Sequence, residues 1–209
     1  MITGPSPEIG KSFIAINLAV VLADAGKKIL LIDGDLRRGS CNKSLGLNRE
    51  NGLSDLISNT ITLENAIRHI TAANIDFIPT GSIPPNPSEL LMHERFIELL
   101  ETLGKNYDHI IIDSPPILAV TDAGIIGRIA SATLMVVKSG QHPMRELEVC
   151  AKRLTQTGVD VKGIVFNDLP EKTTGSYGYG YGYGYGYGYG YGYGYQYGYK
   201  KSNDVDSDK

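Results

Sequence analysis

Two short apolar runs that each stop at an aspartate constrain this chain most: Lys28-Ile-Leu-Leu-Ile-Asp33 and His109-Ile-Ile-Ile-Asp113. A strand without polar alternation must be covered on both faces, which is the situation of a parallel sheet between two helical layers. The neighbouring segments alternate accordingly. Residues 1–3 read as the stub of a strand. Residues 11–25 carry apolar side chains at helical spacing (Ile14, Leu18, Val21, Leu22), and Gly26 stops them. Residues 52–57 and 63–70 read as short helices, and 75–79 as a strand. Asn86-Pro87-Ser88-Glu89 places a cap, a proline in the first helical position and a glutamate behind it. One helix is therefore expected from there to about residue 104. Strands are expected at 133–138 and 162–167, separated by a helix over 144–157. The expected fold class is α/β, a doubly wound parallel sheet flanked by helices on both faces.

In such sheets ligands bind beyond the carboxyl ends of the strands. Three of those ends carry the polar groups of interest. The first is Thr3-Gly-Pro-Ser-Pro-Glu-Ile-Gly-Lys-Ser12, a strand, a loop and Gly-Lys-Ser opening a helix. This is how phosphates are cradled: backbone N–H groups and the helix N-terminus face the anion, Lys11 adds a point charge, and the Ser12 hydroxyl reaches Mg²⁺. Pro7, Glu8, Ile9, Gly10, Lys11, Ser12 and Phe13 are the candidate nucleotide contacts. The strict pattern wants glycine at position 5, where this chain has Pro5, with Gly4 one residue early. The plainer reading of this stretch is a capped helix with an exposed lysine.

The second end is Asp33-Gly-Asp35-Leu-Arg-Arg38, two carboxylates two residues apart, of which one can hold a metal and the other accept a proton. The third is Asp113-Ser-Pro-Pro116, the position of a carboxylate that holds Mg²⁺ in phosphate-loop enzymes. Either alone could be a polar turn; all three in this order point to a nucleoside triphosphate with magnesium. Asn167 ends the last strand, where it could meet an adenine edge or simply turn the chain. Arg37 and Arg38 could meet phosphate, but a solvated pair is the more common case. His69, His93, His109 and His142 share no motif and read as surface or helix residues.

Size and charge bound the rest. At 209 residues and 42% hydrophobic, one core fits and two large ones do not. A formal charge of −3 argues against a nucleic-acid partner, and no Lys/Arg run marks a membrane surface. Cys41 and Cys150 lie far apart without a CxxC spacing, so neither a disulfide framework nor a cysteine metal motif is expected, and a reducing compartment fits. No charged-then-apolar leader opens the chain, and a soluble intracellular piece is the expectation.

Composition changes near residue 172. Twelve of the 13 tyrosines are Tyr177, Tyr179, Tyr181, Tyr183, Tyr185, Tyr187, Tyr189, Tyr191, Tyr193, Tyr195, Tyr197 and Tyr199, and glycines stand between them with a single break at Gln196. Such a stretch cannot bury a core. A domain over 1–172 and a flexible low-complexity tail over 173–209 are expected. The tail can be an adhesive segment, or it can present phenol hydroxyls to a phosphoryl-transfer site.

With those motifs assembled, the chain resembles the cytoplasmic catalytic domain of the bacterial tyrosine kinases of capsule and exopolysaccharide export, members of the P-loop NTPase superfamily. The resemblance rests on the loop at 4–12, on Asp33-Gly-Asp-Leu-Arg-Arg38, on Gly52-Leu-Ser-Asp-Leu56 and on Gly81-Ser-Ile-Pro-Pro-Asn-Pro-Ser-Glu-Leu-Leu91. Asp113-Ser-Pro-Pro116 with Asp122-Ala123 and the tyrosine cluster complete it. ATPases of the septum-placement and partition type usually carry an extra lysine early in the loop, and positions 4–9 hold none.

The resemblance implies ATP and Mg²⁺ as cofactors. Lys11 would lie on the β and γ phosphates. Ser12, Asp35 and Asp113 would hold the metal directly or through water, and Asp33 would be the base for the tyrosine hydroxyl. The twelve tail tyrosines would be the phosphoacceptors. Implied partners are other copies in a ring, a membrane polysaccharide co-polymerase part or activator, and a cognate tyrosine phosphatase. The implied place is the cytoplasmic face of the bacterial inner membrane in the full-length protein. The family's helix before the phosphate loop is missing, so a fragment is expected. A partner-regulating ATPase switch and a non-catalytic interaction fragment remain the alternatives.

Overall fold

The computed structural model describes residues 1–170; the tail, its tyrosines and the domain boundary at 172 lie outside the described residues. Among the described residues seven strands form one sheet: β1 (Ile2–Thr3), β2 (Ile29–Asp33), β3 (Arg68–Ile70), β4 (Ile75–Ile78), β5 (His109–Asp113), β6 (Thr133–Lys138) and β7 (Val161–Asn167), in the order β3-β4-β2-β5-β1-β6-β7. All neighbours are parallel except β3 with β4. The helices are α1 (Lys11–Asp24), α2 (Cys41–Ser44), α3 (Leu53–Ile57), α4 (Leu63–Ala66), α5 (Pro87–Met92), α6 (Glu94–Gly104), α7 (Asp122–Ile129) and α8 (Met144–Gln156).

The unbroken apolar runs are buried on both sides, as a sheet between two layers requires. Ile29 and Leu31 pack with α1 in one core; Leu30 and Ile32 pack in the other, with Leu53, Leu91, Phe96, Ile126 and Leu154 from the helices of the opposite face. The doubly wound α/β expectation holds.

Three local expectations needed correction. The buried ridge of α1 is Ala15, Ala19 and Ala23, whereas Val21 is exposed. Small residues at i, i+4 spacing let the helix lie close on the sheet, and the larger side chains flank that ridge. The expected helix over 63–70 ends at Ala66, and Arg68 to Ile70 pair antiparallel with β4. An open sheet edge offers backbone partners that a short helix lacks, and Arg68 is tied to the carbonyls of Asn48 and Glu50. The expected helix over 86–104 is two helices: His93 is extended (φ −67, ψ 139), and its ring accepts a hydrogen bond from the Arg95 N–H at 3.2 Å, starting α6.

The segments at 52–55 and 79–82 clasp each other. Leu53 N–H donates to the Pro79 carbonyl (2.8 Å), Ser54 Oγ to the Ser82 carbonyl (2.6 Å), and Asp55 accepts from the Gly52 and Ser82 N–H groups (2.9 and 3.1 Å). A Cβ on Gly52 would stand 2.2 Å from both Gly81 N and Pro79 O, which are backbone atoms that cannot swing away. Gly52→Ala is expected to cost roughly 3 kcal/mol, the upper range for an overpacked site. That is about 6–12 °C of melting temperature at this chain length; a thermal melt within 2 °C of wild type would contradict it.

Candidate active site

The ends of β1, β2 and β5 lie side by side, because β5 sits between β1 and β2 and pairs Asp113 with both Ile2 and Asp33. One sheet edge therefore carries the phosphate-like loop and both aspartate ends, as the motifs suggested.

Local contacts hold the loop open. Ile9 is buried in the core while Pro7 and Glu8 face solvent, so the loop arches outward from a hydrophobic anchor. Gly4 stands where any Cβ would lie 2.4 Å from Ile9 Cδ1 and 2.6 Å from the Val136 carbonyl. The glycine one residue early is thus sterically required, and Pro5 occupies the position that the strict pattern assigns to glycine. Gly10 has φ +94, and a Cβ there would lie 2.2 Å from Asn167 Nδ2. Asn167 itself donates from Nδ2 to the Ile9 carbonyl at 2.9 Å, so the end of β7 braces the loop. Phe13 is exposed on the first turn of α1.

Lys11 is buried, and Nζ donates to the Ser6 carbonyl at 3.1 Å, inside the loop. Burial lowers its pKa, while Asp113 and Asp35 pull it back up. Ser12 Oγ donates to Asp113 Oδ2 at 2.5 Å, and the other oxygen, Oδ1, is buried and has no hydrogen-bond partner among the described residues. Asp113 is pushed up to about 6 by burial, against the Ser12 hydroxyl, the Cys41 thiol and Lys11. Asp33 is fully buried. Burial first, then the charge of Asp113, pushes its carboxyl up to about 8, although the N–H groups of Cys41 and Asp35 donate to it. At neutral pH Asp33 therefore keeps its proton unless a positive charge stands beside it. Asp35 is half-buried, and its Oδ1 caps the turn by accepting from the N–H groups of Arg37 (3.1 Å) and Arg38 (2.9 Å).

Two groups escaped the sequence reading. Arg37 is exposed but not free: its guanidinium grips the fully buried Asp122 at 2.8 and 3.2 Å and reaches Ser88 Oγ at 3.1 Å. Ser88 Oγ completes the triangle on Asp122 Oδ1 at 2.5 Å. The Asp33–Asp35 loop is thereby tied to the starts of α5 and α7; the signal was the Asp122-Ala123 pair, which local pattern alone does not couple to Arg37. Cys41 is the other: it is buried, with Sγ 3.3 Å from Asp113 Oδ2. His142 also differs from a surface residue, since its side chain is only 2% exposed beside Glu146.

A family described as an AAA domain matches residues 8–156. The kinase domain of the Escherichia coli tyrosine kinase ETK superposes with a TM-score of 0.80 at 40% identity, over 87% of this chain and 71% of that one. This chain belongs to the bacterial tyrosine-kinase family. The tyrosine kinase domain of BceF superposes with a TM-score of 0.74 at 51% identity, over 81% of this chain and 68% of that one. The tyrosine-protein kinase wzc of Salmonella typhimurium is 46% identical over 181 residues, 86% of this chain and 25% of that protein. The chain thus spans about a quarter of the length of that relative. Tyrosine-kinase domains of this type have the P-loop fold, which generally binds a nucleotide with magnesium. Among the described residues no helix is long and apolar enough to cross a membrane.

Proposed function

We propose that this chain is the catalytic domain of an ATP-dependent protein-tyrosine kinase whose substrate is its own C-terminal tyrosine cluster, mainly that of a neighbouring copy. The observation that carries the reading is the convergence of Lys11, Ser12, Asp33, Asp35 and Asp113 on one sheet edge, in a chain that carries twelve tyrosines beyond its core.

Lys11, now held by the Ser6 carbonyl, would turn to the β and γ phosphates. Gly10 and the first turn of α1 would offer backbone N–H groups to the same oxygens. Ser12, Asp35 and Asp113 would hold Mg²⁺, and the unpartnered Asp113 Oδ1 fits an added cation. Bound there, the ion would neutralise charge developing on the transferred phosphoryl group. With positive charge beside it, Asp33 would release its proton and become able to take the proton of the attacking phenol, whose own pKa is near 10. The phenol oxygen would bond to the γ-phosphorus as the bond to the bridging oxygen breaks, and ADP would leave. Positioning and charge neutralisation would supply most of the rate.

Thirty-seven residues run from Thr173 to Lys209; a random coil of that length would span roughly 35 Å r.m.s., enough to enter a neighbour's site. Each phosphotyrosine adds about −1.5 to −2 charges, on the order of −20 in all, so modification would push a ring of subunits apart. That cycle, at the inner face of the membrane with a co-polymerase or activator and reversed by a phosphatase, would regulate polysaccharide export.

The test mixes an active copy with a larger-tagged Lys11→Met copy and Mg-ATP, then probes each band for phosphotyrosine. Labelling of the Lys11→Met band is expected. An unlabelled Lys11→Met band beside a labelled active one rules out transfer between copies. Phosphate release without phosphotyrosine makes the protein an ATPase switch.

A further inference from the structure

Cys41 is the first residue of α2 and fully buried. Its N–H donates to Asp33 Oδ2 at 3.1 Å, and its Sγ stands 3.3 Å from Asp113 Oδ2. One donor atom each from Asp33, Cys41 and Asp113 lies within 4.8 Å of the others. Tetrahedral zinc with bonds of about 2.0–2.3 Å sets its ligand atoms roughly 3.4–3.8 Å apart, so little movement would complete the set. The second sign is Asp113 Oδ1, on the same carboxyl, buried and without a partner among the described residues.

We propose that Asp33, Cys41 and Asp113 form a binding site for a thiophilic divalent cation of the Zn²⁺ class, with the fourth position left to water or to Ser12 Oγ. The site shares Asp113 with the magnesium position and differs from it in chemistry. Magnesium takes an octahedral set of oxygens and dehydrates reluctantly. A sulfur ligand in a compact, low-coordinate pocket selects Zn²⁺, Cd²⁺ or Co²⁺ instead. Binding releases to solvent the thiol proton and the proton that Asp33 holds at neutral pH, and the cation then neutralises two buried carboxylates and a thiolate. Occupancy would place a second charge against Asp113 and withdraw Asp33 from the nucleotide side, making such ions inhibitors that Mg²⁺ displaces poorly.

The bland reading is a hydrogen-bonded buried cluster that binds no metal. Co²⁺ separates the two, since a Co²⁺–thiolate bond gives a near-ultraviolet charge-transfer band that oxygen and nitrogen ligands do not. The full chain holds two cysteines, which makes the assay clean. Titration with Co²⁺ alone should produce the band in wild type and in Cys150→Ser, and Zn²⁺ should bleach it. Cys41→Ser should abolish it, and Asp33→Asn should weaken Co²⁺ binding at least tenfold. No band in wild type overturns the proposal, as does a band that survives in Cys41→Ser or that Zn²⁺ leaves intact. Because Cys150→Ser leaves the cluster alone, the inference stays testable even if Cys41→Ser fails to fold. The assay contains no nucleotide, so its failure would leave the kinase reading untouched.

Discussion

Asp33→Asn is expected to stop tyrosine phosphorylation and, in the nucleotide-free protein at pH 8, to raise stability. The two effects have one cause. Asp33 is buried against Asp113, and its carboxyl sits at about 8 instead of 3.8. The folded state therefore holds a proton that the unfolded state gives up between roughly pH 4 and pH 8. Wherever the unfolded state binds fewer protons, stability falls as pH rises. The nucleotide-free wild type should then melt at a lower temperature at pH 8 than at pH 5, and Asp113, at about 6, adds to the slope over its lower half. Asparagine removes the ionisable group and should flatten much of that slope, with a gain of a few kcal/mol at pH 8. The cost is the proposed proton acceptor, a role worth about 10²–10⁴-fold in rate. Calorimetry across pH and phosphotyrosine yield measure the two halves. An unchanged pH slope would falsify the burial argument, and retained transfer would remove Asp33 from the role of base.

Lys11→Met should lower phosphoryl transfer by about 10²–10³-fold, the usual loss when one preorganised charge donor is removed from a site that excludes water. Methionine keeps the length and much of the apolar stem of lysine, so the fold should survive. The ammonium does not survive. Asp113 and Asp35 both act on it, and it lies on the loop at the Ser6 carbonyl. Both nucleotide affinity and kcat should fall, since the charge serves ground state and transition state alike. Full self-labelling by purified Lys11→Met alone would show that the loop lysine carries none of the chemistry.

Much of this was legible along the chain. The runs ending at Asp33 and Asp113 announced buried parallel strands because they lack alternation, and Gly-Lys-Ser after a strand placed a loop at their common edge. Local pattern failed where an alternative partner existed in space. Residues 68–70 have helical spacing yet complete a sheet edge, and His93 breaks a helix because its own ring caps the next one.

The sequence by itself determined the fold class, the edge that carries the site and the five polar residues that meet there, because strand burial and strand-end chemistry are written in consecutive residues. Only the tertiary structure decided what those residues feel. Asp33 and Asp113 are eighty positions apart in sequence and adjacent in register, so their mutual repulsion exists only in the folded sheet. Arg37 with Asp122, and Cys41 with Asp113, are likewise pairs that no spacing predicts. A carboxylate's charge and reach depend on its neighbours in space, and in a sheet of parallel strands those neighbours come from distant parts of the chain.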